Sequence, residues 1–209
     1  MNNTPTSDSG GEISFSQELA RKATHMGALV IPAGYFFLRL ERWGAEAILI
    51  PITLAMVWLD ISRLRDWAFW RKVGRPITGR MIRQHEANGD FTGATYILSS
   101  SCFTIGLYSK PIAIAALAFI IVGDSFAAII GRRFGRHRFG RKSVEGSLAC
   151  LVGTFIVAAV SPAFGLETGI AFAGAVTATV TEALSTRVDD NVSVPLVSGL
   201  TMTILARVL

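Results

Sequence analysis

Charge is what this chain has least of. Only 17% of its 209 residues are charged, against 51% that are hydrophobic, whereas an average soluble domain carries about 25% charged residues. That deficit, with repeated apolar runs, excludes an ordinary globular domain and points to a polytopic membrane protein. Cysteine is scarce as well: Cys102 and Cys150 both lie in apolar runs, so neither a disulfide framework nor a metal-binding cysteine spacing is present. No basic stretch precedes a short apolar segment with a small-residue cleavage site, so no cleavable signal peptide is expected and the first span would serve as the insertion signal. Residues 1–14, MNNTPTSDSGGEIS, read as a disordered polar tail. Residues 15–209 read as a single integral-membrane domain, with no length left for a separate soluble one.

What is there is a series of apolar segments. Seven qualify as helices: Ala23–Leu40, Ala45–Ile61, Thr92–Tyr108, Pro111–Ile130, Leu148–Phe164, Thr168–Ser185 and Val192–Leu209. Each is close to the lower length limit for crossing a hydrocarbon core of about 30 Å. Backbone groups in lipid must be satisfied internally, so the expected fold is an all-α, polytopic membrane bundle of about seven transmembrane helices. The second span is the weakest, with Glu46 and Asp60 near its two ends.

The basic residues set an orientation. The N-terminal side and the second, fourth and sixth loops hold sixteen Lys and Arg, and the opposite side holds four, Arg39, Arg42, Lys110 and Arg207. By the positive-inside rule the N-terminus is cytoplasmic. A net charge of +5 distributed in this way is a topology signal, and no nucleic-acid partner is expected. In the second loop, Leu64, Trp67, Trp70 and Val73 recur at helical spacing, as in an amphipathic helix lying among headgroups. Further along the same loop, His85 and Glu86 stand near a Gly89-Asp90 turn.

Four constellations face the cytoplasmic side. Glu18, Arg21, Lys22 and His25 recur at i, i+3, i+4 and i+7, which places them on one face of the first helix. Asp124 lies inside the span IIVGDSFAAII, and an ionisable residue in a span is a functional candidate by default because burying it is costly. The stretch from Gly131 to Ser147, GRRFGRHRFGRKSVEGS, holds six Arg and Lys against one Glu. Its Gly131, Gly135 and Gly146 let backbone N–H groups approach a phosphate, while Arg132, Arg136, Arg141 and Lys142 neutralise charge, with Ser143 beside them. The spacing is not that of a P-loop, which would also have to follow a strand. Finally, Glu182, Ser185, Thr186 and Asp189 share a helical face, followed by Asp190 and Asn191. Such oxygen donors suit Mg²⁺, which takes one or two carboxylates plus substrate phosphates.

These pieces, in this order, resemble the diacylglycerol/polyprenol kinase family of dolichol, phytol and CTP-dependent diacylglycerol kinases. The resemblance rests on Glu18-Leu-x-Arg21-Lys22-x-x-His25, and on His85-Glu86 with Thr92-Gly93-Ala94-Thr95. It continues with Gly123-Asp124-x-x-Ala127 through Gly131-Arg132-x-x-Gly135-Arg136 to Arg141-Lys142-Ser143-x-Glu145-Gly146-Ser147, and ends with Glu182-Ala-x-Ser185-x-x-x-Asp189-x-Asn191 and Pro195. The central block is also similar to phosphatidate cytidylyltransferases, but their C-terminal Gly-His-Gly-Gly and Asp-Arg-x-Asp stretches are missing; only Arg187-Val-Asp189 echoes them.

The resemblance implies transfer of the γ-phosphoryl group of a nucleoside triphosphate, CTP, to the hydroxyl of a membrane lipid, with Mg²⁺. It implies Asp124, Asp189, Asp190 and Asn191 as metal ligands, and Arg21, Lys22, His25, Arg132, Arg136, Arg141 and Lys142 around the phosphates. Glu182 or Glu145 would orient or deprotonate the acceptor; the residues do not choose between them. The short, almost all-membrane chain resembles the bacterial and phytol-kinase end of the family, which implies an isoprenoid alcohol over diacylglycerol and a site facing the cytoplasm of a bacterial-type membrane. CDP-lipid synthesis and a small lipid or ion transporter remain as other readings. Against the transporter, the cations cluster at one side and no inverted repeat is evident. Oligomeric state is not legible.

Overall fold

In the computed structural model, residues 22–74, 89–140, 142–185 and 189–209 are described, with side chains left out at 73 and 74. The expected N-terminal tail, Glu18, Arg21, His85, Glu86, Arg141, Thr186 and Arg187 lie outside the described residues. Helical backbone over 22–27 leads into α1, Val30–Phe37. The chain continues through α2, Arg42–Leu64, α3, Gly93–Leu107, and α4, Lys110–Phe134. A two-residue hairpin, β1 Arg138–Phe139 and β2 Lys142–Ser143, leads into α5, Val144–Ala159. Two further helices complete the chain, α6, Thr168–Leu184, and α7, Asp190–Val208. Every apolar segment expected to be a helix is one, and the hairpin is the departure from pure helix among the described residues.

By length and composition, α2, α4 and α7 are apolar and long enough to cross a membrane, while α5 and α6 are shorter apolar helices. The centre of the bundle is α4, whose residues from Ile112 to Ile121 are all buried. A helix apolar on every side belongs inside, and α1, α3, α5, α6 and α7 all pack on it. Four alanines in that run keep it slender, and Gly174 and Gly199 lie where any added methyl would strike Met202 or the Tyr108 ring. In contrast, α2 packs on α3 and turns Trp43, Ile48, Ile52, Leu54 and Trp58 outwards, the face a lipid-facing helix presents.

Two sequence expectations change here. Leu64 ends α2 instead of joining Trp67 and Trp70 on one amphipathic helix. The chain turns at Asp66, whose φ is +47°, and folds Trp67 and Phe69 back on Trp58, with ring centroids 6.4 and 4.7 Å away. The cationic stretch is not a loop from Gly131 onwards either. The α4 helix continues to Phe134, with Arg132 and Arg133 in its last turn, where positive charge complements the carbonyl end of the helix dipole.

Candidate active site

One end of the bundle gathers the acids and cations. Asp124, about ten residues before the end of α4, accepts a hydrogen bond from Lys22 Nζ, and His25 Nε2 stands 3.4 Å from the same carboxylate oxygen. Lys22 is 2% exposed. A lysine is almost never buried to that degree unless paired, so the first helix is anchored to α4 by this contact. The spacing of Lys22 and His25, three apart, brings both onto Asp124 as the helical register expected.

The second half of the site is built by the hairpin. β1 and β2 pair antiparallel, Arg138 opposite Ser143 and Phe139 opposite Lys142, with Gly140 at φ +60° in the turn. Lys142 is thereby aimed inwards. Its Nζ donates to the Glu182 carboxylate, to the Glu182 backbone oxygen at 2.6 Å and to Asp190 at 3.3 Å. Burial alone would lower the Lys142 pKa, but the Asp190 and Glu182 charges outweigh it and hold the ammonium above its ordinary value. The hairpin, the end of α6 and the start of α7 are tied together at one nitrogen.

The two halves adjoin. A methyl on Gly123, next to Asp124 in the chain, would stand 2.8 Å from Cys150 Sγ on α5, and α5 meets α6 where Thr154 Oγ1 lies 3.4 Å from the Ala175 carbonyl oxygen. Asp189 caps α7, accepting from Asn191 N at 2.9 Å and from Asn191 Nδ2 at 2.7 Å. Burial, with the neighbouring Asp190 charge, raises its pKa above the usual aspartate range. The amide nitrogen being so engaged, Asn191 Oδ1 points elsewhere and is buried without a hydrogen-bond partner among the described residues, as is Glu182 Oε2. A buried polar atom left unpaired costs about 1–3 kcal/mol, and each of these two oxygens has room in its bonding for one more donor.

Several expected residues take parts the sequence did not specify. Glu182, Ser185 and Asp189 do not share one helix: α6 ends at Leu184, and Asp189 starts the next. Ser185 reaches across the break to Ser193, 2.7 Å away. The glycines of the cationic stretch pack backbones together. A methyl on Gly146 would stand 3.0 Å from the Ala127 carbonyl oxygen, and one on Gly131 would be 3.2 Å from the Gly146 Cα. Ser143 sits between them and caps α5, accepting from Gly146 N at 3.1 Å. Glu145 faces outwards to the hairpin, 2.8 Å from His137 Nδ1, and that hydrogen bond holds its carboxyl down at about 2. Arg132 is half-buried at the end of α4 and Arg136 is exposed.

One buried acid was legible only as a blemish in the second span. Asp60, 3% exposed, accepts from Thr92 N at 2.8 Å, Thr92 Oγ1 at 2.9 Å, Thr95 Oγ1 at 2.6 Å and Arg63 Nε at 3.1 Å. It gives Thr92-Gly-Ala-Thr95 a structural reason, since the start of α3 is capped from α2. A cavity of about 510 Å³ lined by Phe36, Lys110, Pro111 and Phe164 opens at the opposite end of α4, away from these charges.

Among the described residues no three His, Cys, Asp or Glu side chains converge closely enough to hold a metal by themselves. Mg²⁺ does not need them to, since it is usually bound by one or two carboxylates with phosphates and water supplying the rest. The unpartnered Asn191 Oδ1 and the carboxylates near it are hard oxygen donors of the right kind.

Buried acids thus meet cations at one end of a bundle whose α2, α4 and α7 are long and apolar enough to cross a membrane. Its relatives define it further. The chain is 32% identical over 196 residues to a phytol kinase of Synechocystis, covering 88% of this chain and 77% of that protein. It is 30% identical over 202 residues to an uncharacterized protein of Rickettsia prowazekii, covering 93% and 98%. A CTP-dependent diacylglycerol kinase of Saccharomyces cerevisiae is 25% identical over 156 residues, covering 72% of this chain and 51% of that protein. No family model and no solved structure matches. The chain belongs to the diacylglycerol/polyprenol kinase family of membrane lipid kinases.

Proposed function

We propose that the protein transfers the γ-phosphoryl group of CTP to the hydroxyl of an isoprenoid alcohol such as phytol, at the cytoplasmic face of the membrane. The observation that carries this reading is the convergence of Lys22, His25, Asp124, Lys142, Glu182 and Asp190 at one end of the bundle, with two buried oxygens unpaired among the described residues. Phosphoryl transfer asks the protein mainly for positioning and charge neutralisation. Lys22 supplies a buried cation and Lys142 a half-buried one, and Arg132 and Arg136 flank the entry to the hairpin; Arg21 and Arg141 lie outside the described residues. Asp124, Asn191 and the Asp189–Asp190 pair would hold Mg²⁺. A bound magnesium ion would neutralise charge on the β- and γ-phosphates.

Glu182 is the better placed of the two candidate bases. One of its carboxylate oxygens is held by Lys142 and the other has no hydrogen-bond partner among the described residues, whereas the Glu145 carboxylate is engaged on the hairpin. As the acceptor oxygen bonds to the γ-phosphorus, the bond to the β–γ bridging oxygen breaks. The hydroxyl proton passes to Glu182, and a nucleoside diphosphate leaves.

Purified protein incubated with phytol, geranylgeraniol, a polyprenol and dioleoylglycerol tests this. Label from γ-labelled CTP should appear in a lipid phosphate, and label from α-labelled CTP should stay in CDP. Label from α-labelled CTP in the lipid would mean a CDP-lipid and a cytidylyltransferase instead.

A further inference from the structure

The α5 and α6 helices pack antiparallel, and their register can be read from one contact. Thr154 Oγ1 of α5 lies 3.4 Å from the Ala175 carbonyl oxygen and 3.3 Å from Thr179 Oγ1 of α6. Seven residues is close to two helical turns, or about 10.5 Å along the axis, and returns to the same face. Seven back from Thr154 is Ser147, and seven on from Ala175 is Glu182. In an antiparallel pair both steps run towards the same end, so Ser147 is set opposite Glu182.

Both residues have an atom in want of a partner. Ser147 Oγ and Glu182 Oε2 are buried with no hydrogen bond among the described residues. The serine is unusual in this. Ser125 and Ser198 each turn their hydroxyl back onto the carbonyl four residues earlier, at 2.7 Å, and Thr179 does the same at 3.0 Å. Ser147, with Ser143 four residues before it, makes no such bond. Two buried polar atoms in register across one seam, neither bonded to the other, would both be satisfied by a third group entering between them.

The chemistry of the pair selects that group. A phosphate would meet the Glu182 carboxylate as a like charge. A neutral alcohol satisfies both sides at once, donating its proton to Glu182 Oε2 and accepting from the Ser147 hydroxyl. Beside Ser147 on the first turns of α5, Val144 and Leu148 are exposed apolar side chains, facing where a lipid tail would run. We infer that Ser147 and Glu182 form the subsite for the acceptor hydroxyl, in the seam between α5 and α6. This rests on the kinase reading above and adds to it a residue, Ser147, and a route by which the lipid reaches the site.

The test is a KM split. With the alcohol that wild type phosphorylates fastest among phytol, geranylgeraniol and dioleoylglycerol, Ser147→Ala should raise the lipid KM about tenfold, the loss of one hydrogen bond. The CTP KM should stay within twofold and Ser147→Thr should restore the lipid KM. A lipid KM unchanged in Ser147→Ala, or a CTP KM raised as much as that for lipid, overturns the subsite while leaving the kinase reading intact. A folded wild type that phosphorylates none of the three alcohols, nor a polyprenol, overturns the kinase reading, and the subsite with it.

Discussion

Lys142 holds Glu182 twice, through its carboxylate and through its backbone carbonyl at 2.6 Å. The side chain thus closes the C-terminal end of α6 as well as pairing with its acid. A compact ammonium with three donors can serve both oxygens and Asp190 from one point, which the planar fork of a guanidinium does not reproduce. Lys142→Ala should lower lipid phosphorylation by at least about 100-fold, the scale for losing one preorganised charge-stabilising donor. Lys142→Arg should fail to restore it. Initial rates on protein that elutes normally in size-exclusion chromatography check both.

Asp124 and Lys22 form the other inward pair. Asp124→Ala removes one charge and strands a lysine that is 2% exposed, a change that costs about 3–5 kcal/mol when a buried pair is broken on one side. Activity should be lost and thermal unfolding in detergent should shift down. The double variant Asp124→Ala with Lys22→Met should recover much of the stability and none of the activity. Recovery of both would make the pair structural only.

The glycines offer a prediction independent of chemistry. Gly146→Ala places a methyl 3.0 Å from the Ala127 carbonyl oxygen and 3.2 Å from the Gly131 Cα. Both neighbours are backbone, so neither can rotate away, and overpacking of this kind costs about 1–3 kcal/mol. Gly146→Ala should therefore lower the unfolding midpoint, whereas Gly27→Ala, with open space around it, should not. Equal midpoints for the two variants would remove the close-packing role.

Acid dependence follows from Glu145. Its pKa falls from 4.5 to about 2 on pairing with His137, so the folded state favours its ionised form. The contact contributes stability in full above about pH 4.5 and loses it as the pH falls towards 2. The unfolding midpoint of wild type should drop through that window more steeply than that of Glu145→Gln. Parallel curves would contradict the assignment.

How much of this was legible in the sequence depends on the range of each interaction. The helices were, because an apolar run of sufficient length has one solution in lipid. Lys22, His25, Asp124, Lys142 and Glu182 stood out because charge in or beside an apolar run is costly and needs a partner. The partners themselves were not legible. Lys142 and Glu182 are forty residues apart in sequence, and only the hairpin folded against the end of α6 brings them together. Asp189-Asp190-Asn191 carries two messages in the same residues, a helix cap and a set of oxygen donors, and only the donors were read. The spacing of Gly131, Gly135 and Gly146 serves equally for phosphate approach and for helix approach, and in the fold the backbones around Ser143 use it. Asp60 looked like a defect until Thr92 and Thr95 arrived from another helix.

The most direct measurement is transfer of γ-labelled phosphate from CTP to phytol by wild type, Asp124→Asn and Lys142→Ala side by side, with and without Mg²⁺. Labelled phytyl phosphate from wild type alone, and only with the metal, is the predicted result. Turnover retained in both variants would contradict a phosphotransfer site built on these two residues.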